Sequence, residues 1–424
     1  PLTILVGENG SGKSNILEAI ALLAQSVGLN GFQYQGGKYL NLISYASPED
    51  FAHKRILGSW TTMEIHVTTE DSEKERLSSI AEAVNIASLG VSIGQVSSLG
   101  YRYSGIISEA YPGQTRQSVL CDDKELITAG HVQVDKSGWR NGFEYPPILR
   151  PATCGETSYV LTPSVFSQSR ETVEEAKPLT DFGQAAIEII ACKLRPQRGR
   201  KSKVFLISAL RGDVESEAAT KGEPEWVGKH GENLLQILSL ISPIEHKKKL
   251  EKIQEWAFRF GLKEPWGRWK GKDQLGVEYE DPKLSAVFKL ALASYGCKQV
   301  MSIITQLFWS EPGDIIMIEE PEISLHPNSQ ANLPELFGEA ICEGKQVLLT
   351  THSLVLPLAL GRPIEKGLLK PSDIAVWHIK KEPRGTIAEN LELTERGYIK
   401  GWIPSFAEIE LELMQEWART LPGA

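Results

Sequence analysis

The chain has 424 residues, of which 41% are apolar and 23% charged, and its formal net charge is −9. That length predicts two or three domains with enough surface to bury a core, and the composition excludes wholesale disorder. The acidic balance excludes a chain that coats nucleic acid with its whole surface, while leaving room for a local basic patch.

The sequence opens on Leu2-Thr3-Ile4-Leu5-Val6, a short apolar strand; because it begins at Pro1, directly on that strand, further residues are expected upstream. The strand runs into Gly7-Glu8-Asn9-Gly10-Ser11-Gly12-Lys13-Ser14, which fits G-x-x-x-x-G-K-[ST] in full. Asn15 to Val27 then reads as a helix, with Ile16, Ile20, Leu23 and Val27 on one stripe. Small residues let backbone N–H groups point at phosphate oxygens, and a helix N-terminus adds partial positive charge. Lys13 is placed for the β/γ-phosphates and the Ser14 hydroxyl for a Mg²⁺ shell. A nucleotide-phosphate site formed by Asn9, Gly10, Ser11, Gly12, Lys13, Ser14 and Asn15 is the expectation.

Beyond a turn-rich stretch from Gly28 to Gly58, Thr61 to Thr69 alternates as a half-buried antiparallel strand. Further strands are predicted at Gly100 to Ile107, Gln117 to Leu120 before an Asp122-Asp123 turn, and His131 to Val134, with a helix over Glu70 to Ala87. Pro178 can start a helix whose apolar face is Phe182, Ala186, Ile189 and Ile190. Lys193, Arg195, Arg198, Arg200, Lys201 and Lys203 follow as a basic run, read either as a solvated loop or as a nucleic-acid contact. Val204 to Leu210 is a strand ending on Arg211, and Glu232 to Ile241 and Glu245 to Phe260 are helices, the second capped by Gly261. Lys247-Lys248-Lys249 falls on its polar side. Trp266 and Trp269 either stack bases or pack against that helix.

Asp314 to Ile318 is an apolar run delivering Glu319 and Glu320 at its end, the form of a buried strand presenting acids at the ligand-binding edge of an α/β sheet. Glu319 is placed to hold Mg²⁺, and Glu320 to orient or deprotonate an attacking water. Gln346 to Thr351 is a second buried strand, followed by His352 as a γ-phosphate contact. Ser294 and Gly296 open an apolar helix over Val300 to Leu307, where a helix N-terminus offers another anion site. Ile374 to Ile379 reads as one more strand. Five dispersed cysteines make no C-x-x-C pair, so neither a disulfide framework nor a zinc site is indicated. No apolar run is long enough to span a bilayer and no signal peptide is visible, so a cytoplasmic address without membrane is expected.

The order of P-loop, S-x-G-x-x-Q, E-E-P-E-I-S-L-H-P and T-T-H-S resembles the ABC-type ATPases of the SMC, RecF and OLD branch. Within that branch the chain is similar to stand-alone prokaryotic "AAA family" ATPases near OLD and the Septu-type antiviral ATPases. Ser208-Ala209-Leu210-Arg211, Val227 to Glu232 and Gly397 to Phe406 add to that likeness. The resemblance implies an α/β P-loop NTPase of ABC-ATPase head type, with a β-rich flank and an inserted, mainly helical arm. The expected divisions are 1–150 for the N-terminal ATPase lobe, 151–285 for the arm and 286–424 for the C-terminal lobe.

The resemblance further implies ATP and Mg²⁺, with Glu319 at the Walker B position, Glu320 as the catalytic carboxylate and His352 as the switch histidine. Ser294 and Gly296 would complete the site of a partner subunit in an ATP-dependent homodimer. The Walker B strand ends in Glu rather than Asp, the signature reads ASYGCKQ, and Gln33 and Gln35 are the candidates for a glutamine loop. No carboxylate cluster follows the last motif, so a nuclease or other activity would come from a separate effector subunit, with DNA or RNA as a further partner. Two functions stand at this point: a Mg²⁺-dependent ATPase switch, in repair or antiviral defence, and an ATP-binding scaffold or sensor with little turnover. A transporter motor is disfavoured by the long separation of the Walker motifs.

Overall fold

The computed structural model describes residues 1–27, 42–46, 50, 60–82, 96–106, 115–135, 138–144, 177–194, 203–212, 214, 218–219, 224–241, 244–269, 274–401, 412–413, 415–417 and 419. The chain divides into two compact units, one of residues 1–17 with 203–424 and one of residues 18–202. It opens with β1 (Leu2–Val6) and α1 (Lys13–Ser26).

The 18–202 unit is built on a five-stranded antiparallel meander of β2 (Trp60–Thr68), β3 (Ser98–Ile106), β4 (Thr115–Cys121), β5 (Lys124–Asp135) and β6 (Gly138–Glu144). Two helices, α2 (Asp71–Glu82) and α3 (Lys177–Leu194), pack together, and α3 lies against β3, β4 and β5. The β4–β5 turn has Asp122 at φ 44° and Asp123 at φ 66°, the paired left-handed conformation of a two-residue hairpin turn, which Asp tolerates. The stripe expected on α3 is the buried one: Phe182, Ala186, Ile189 and Ile190 all lie in the core.

From Lys203 the chain adds β7 (Val204–Ile207), β8 (Ala218–Ala219), α4 (Leu234–Leu240), α5 (Lys247–Arg259), β9 (Lys263–Trp269), β10 (Gln274–Asp281), β11 (Ala286–Lys289) and α6 (Tyr295–Trp309). It continues with β12 (Ile315–Glu319), α7 (Pro327–Gln330), α8 (Leu333–Cys342), β13 (Gln346–Thr351), α9 (Val355–Leu358), α10 (Gly361–Glu365), β14 (Ile374–Glu382) and β15 (Gly385–Leu391). The main sheet has the order β15-β14-β1-β13-β12-β7, parallel throughout except for β15. A parallel sheet covered by helices needs strands that are near-continuous apolar runs, and β1, β7 and β12 supply LTILV, VFLI and IIMIE. Ile4, Phe205, Ile316, Ile304, Phe337 and Leu349 belong to the one core that these layers enclose. The α5 helix ends as its sequence requires: Gly261 sits at φ 86°, its N–H donates to Phe258 O and that of Leu262 to Ala257 O, satisfying the terminal carbonyls.

The expected boundaries at 150 and 285 do not coincide with this division. Residues 203–285, read as part of a helical arm, contribute β7 to the main sheet, and Ile253, Trp256 and Val277 to the same core as β1. The physical reason is that β7 is held by hydrogen-bonded register with β12, over one hundred positions later, which no local pattern announces.

Candidate active site

Strand register places the motifs. β1 pairs with β13 so that Val6 lies opposite Thr351, and β12 pairs with β13 so that Glu319 lies opposite Thr350. The glycine loop after Val6, the acids after Ile318 and His352 after Thr351 therefore leave three adjacent parallel strands at one edge of the sheet. That C-terminal edge is where open α/β sheets bind ligands.

The glycine loop is shaped by what surrounds it. Gly7 has φ 153° and a Cβ there would fall 2.2 Å from Ile379 O; Gly12 has φ 103° and a Cβ would fall 2.6 Å from Thr386 Oγ1. Only glycine permits both the dihedral and the approach. Lys13 is buried, and its ammonium donates to Gly7 O at 2.9 Å and Glu8 O at 2.8 Å, inside the ring that the loop describes. Burial lowers the Lys13 pKa, against the pull of Glu320 and Glu322. Ser11 is buried, whereas Asn9, Gly10 and Asn15 are exposed, and Ser14 lies in the first turn of α1.

Glu319 accepts a hydrogen bond from Ala209 N at 3.3 Å. The Glu320 N–H donates to Thr350 O at 3.0 Å, and Glu320 holds φ 43°, a left-handed conformation that a side chain of this size rarely takes. Burial raises the Glu320 pKa; Lys13 opposes this, and the neighbouring Glu319 adds to it. His352 Nε2 lies 3.4 Å from Glu320 Oε1. Burial, and then the Lys13 charge, lower the His352 pKa, so the imidazole is neutral at neutral pH.

Two residues of this edge escaped the sequence reading of the site. Arg211 is 1% exposed, and its guanidinium donates to Ser208 O at 2.8 Å, Glu319 O at 2.7 Å and Glu320 O at 3.0 Å. Burial pushes its pKa down to about 10, with the charges of Glu322, Glu319 and Glu320 holding it up. Glu322, 7% exposed, accepts from Thr351 Oγ1 at 2.7 Å, His352 N at 2.8 Å and Ser353 N at 3.1 Å, all through Oε1. It thus ties the loop after β12 to the loop after β13. The available signals were a lone arginine closing an apolar strand and a third carboxylate two positions after an acid pair.

Ser294 is exposed and caps α6, its Oγ accepting from Cys297 N at 3.4 Å. Gly296 is buried against the loop after β12, where an added Cβ would fall 2.3 Å from Ser324 O. Among the described residues neither hydrogen-bonds to the glycine loop of its own chain. Gln33 and Gln35 lie outside the described residues, as does the basic run between Lys193 and Lys203. Lys193 itself pairs with Glu70 at 2.7 Å and Glu73 at 2.9 Å. Trp266 lies on β9, which packs against α4 and α5, with the Arg268 guanidinium over its ring. Lys249 is held by Glu311 and Trp309 O.

Among the described residues no group of three or more His, Cys, Asp and Glu could by itself hold a metal ion. A hard divalent cation would take Ser14 and Glu319 together with oxygens of a bound phosphate, the arrangement such cations favour in phosphate sites. The edge thus combines a backbone anion cradle, an ammonium, two carboxylates and a neutral imidazole. That donor set fits a nucleoside triphosphate with its cation. Among the described residues no helix is long and apolar enough to cross a membrane.

Residues 167–356 match the family described as "AAA ATPase domain", and residues 2–57 match "AAA domain, putative AbiEii toxin, Type IV TA system". A search of curated proteins finds no significant match. Among solved structures, one similar chain is an SMC head bound to the C-winged helix domain of ScpA, at 12% identity, covering 92% of this chain and 90% of that one with a TM-score of 0.41. Another is the SMC head domain from Thermotoga maritima, at 11% identity, 92% and 90% coverage and a TM-score of 0.35. A third is the SMC head with an extended coiled coil bound to the C-terminal domain of ScpA, derived from Pyrococcus furiosus, at 10% identity, 98% and 93% coverage and a TM-score of 0.40. The two matched stretches, which between them carry the glycine loop, the acid pair and His352, are similar to AAA-type ATPase domains.

Proposed function

We propose that this chain is a Mg²⁺-dependent ATP hydrolase that works as a nucleotide-switched homodimer and acts on nucleic acid or through a separate effector subunit. The observation that supports it is the strand register, which brings the glycine loop, Glu319-Glu320 and His352 to one sheet edge on adjacent strands. In this reading the loop N–H groups and Lys13 hold the phosphates, with Asn9 to Ser14 wrapping them and Asn15 opening the helix behind them. Ser14 and Glu319 would hold Mg²⁺, which neutralises phosphate charge when bound. Glu320 orients a water and accepts its proton, since a carboxyl raised by burial is a better base than a free one. His352 donates to the γ-phosphate in its neutral form. Arg211 and Glu322 act as positioning residues through the backbone of Glu319, Glu320 and His352.

Ser294 and Gly296 are assigned to the second copy's nucleotide, on the resemblance to ABC-type ATPases and on the exposure of Ser294 at the start of α6. A place in DNA repair or antiviral defence rests on the resemblance to RecF-, OLD- and Septu-type proteins alone.

Calorimetry with ATP tests the core of the reading. Wild type should bind, and Lys13→Ala should lose tight binding while still unfolding in one cooperative transition. Equal affinity in the two proteins would refute the phosphate site. Binding without steady-state phosphate release, with or without DNA or RNA, would make the chain an ATP-responsive scaffold instead.

A further inference from the structure

The β14–β15 hairpin belongs to no motif, yet it abuts the glycine loop. Beyond Val6, which lies opposite His378, β14 runs on past the end of β1, and β15 turns back beside it as the edge strand of the sheet. Two contacts join the hairpin to the loop. Thr386 Oγ1 donates to Ser11 O at 2.9 Å, across 375 positions of sequence. The same hydroxyl stands where a side chain on Gly12 would be, 2.6 Å from its built Cβ, while Ile379 O occupies that place at Gly7. Gly7 and Gly12 are therefore both walled by one hairpin, and the polar side chain in that wall that bonds the loop is Thr386.

The chemistry of this contact bears on phosphate binding. The Ser11 N–H is taken by Glu8 O at 3.2 Å, so the group available to a phosphate here is the Gly12 N–H, which points opposite to the Ser11 carbonyl of the same peptide and faces inward only while that carbonyl faces outward. A carbonyl oriented away from the ligand needs a donor, or it competes for another conformation. Thr386 supplies that donor. Other residues of β15 make no comparable contribution: the strand is exposed along nearly its whole length, so its core value is small.

We propose that Thr386 is a positioning residue for nucleotide binding, fixing the Ser11–Gly12 peptide in its phosphate-facing orientation from the β14–β15 hairpin. The assignment rests on the reading of the glycine loop as the phosphate site. Its consequence is specific to affinity: the residue touches neither Glu319, Glu320 nor His352, so its loss should fall on KM and Kd rather than on kcat.

The test compares wild type, Thr386→Val and Thr386→Ser by ATP calorimetry, steady-state hydrolysis and thermal melting of the full chain. Valine keeps the shape and removes the hydroxyl, and should weaken ATP binding about 3- to 10-fold, as the loss of one hydrogen bond predicts. KM should rise by a similar factor. Serine should restore affinity to within about twofold, and both variants should melt with wild type because Thr386 is exposed. Wild-type affinity in Thr386→Val, or equal losses in Val and Ser, would overturn the assignment. A lowered melting temperature that accounts for the loss in Val and is not rescued by Ser would overturn it as well, leaving a structural contact. A wild type that binds no ATP would refute the phosphate-site reading itself, and this proposal with it.

Discussion

Glu320 carries two costs at once: a left-handed backbone, worth about 1–2 kcal/mol for a residue with a Cβ, and a partly buried carboxylate beside Glu319. The guanidinium of Arg211, bonded to the carbonyls of both acids, holds that conformation in place. Because the folded-state pKa of Glu320 is raised, its protonated form is the one that favours the fold. Its contribution is fully present below the unfolded carboxylate pKa and is lost as pH rises through the folded value. Glu320→Gln mimics the protonated form. It should therefore melt above wild type at neutral pH, with the gain shrinking to nothing in acid. Melting curves at the two pH values check this, and a variant less stable than wild type at neutral pH would contradict it. Such a gain at the expense of hydrolysis is what a partly buried carboxylate, kept charged for its proposed role as base, produces.

Helix α8 shows the opposite sign. Glu335 is buried near its start, where burial pushes its carboxyl up but hydrogen bonds from Lys366 at 2.6 Å and Arg259 at 3.0 Å outweigh this and leave it below the ordinary carboxylate value. Its stabilisation is present above the unfolded pKa and lost as pH falls through the depressed folded one. Glu335→Gln should thus cost about 2 kcal/mol at neutral pH, the worth of charge-assisted bonds, and little in acid. Urea titrations at both pH values decide it, and a cost that persists undiminished in acid would place the role in packing rather than charge. Elements also mark what the sequence could reveal. β1, β12 and β13 are short strands built round the apolar runs of LTILV, IIMIE and QVLLTT, so their nature and the acids or histidine at their ends are readable locally. Arg211, Glu322 and Thr386 are not, because their partners lie across strand crossings: Arg211 meets Glu319 over 108 positions, and Thr386 meets Ser11 over 375. β9, with the sequence KEPWGRW, has too much Gly, Pro and charge to announce a strand; its pairing with β10 makes it one.

On the scale of the whole molecule, the residues 1–17 and 203–424 bring the first and last motifs into one unit, while 18–202 folds on a separate antiparallel sheet. The β-rich flank was legible from the alternation in β2 and the strand-like stretches that follow it, but the return point at Lys203 was not. There the chain rejoins a sheet whose other strands come from both ends of the sequence. All the groups proposed for hydrolysis lie in that first unit, and the exposed Ser294 is the proposed contribution to a second copy. The most direct measurement is light scattering of Glu320→Gln with and without ATP and Mg²⁺, beside the same protein carrying Ser294→Arg. Removing the base should trap bound ATP and convert a monomer to a dimer only when nucleotide is present, and Ser294→Arg should abolish that dimer while ATP still binds. A Glu320→Gln protein that stays monomeric at saturating ATP, or is equally dimeric without it, would contradict the nucleotide-switched dimer.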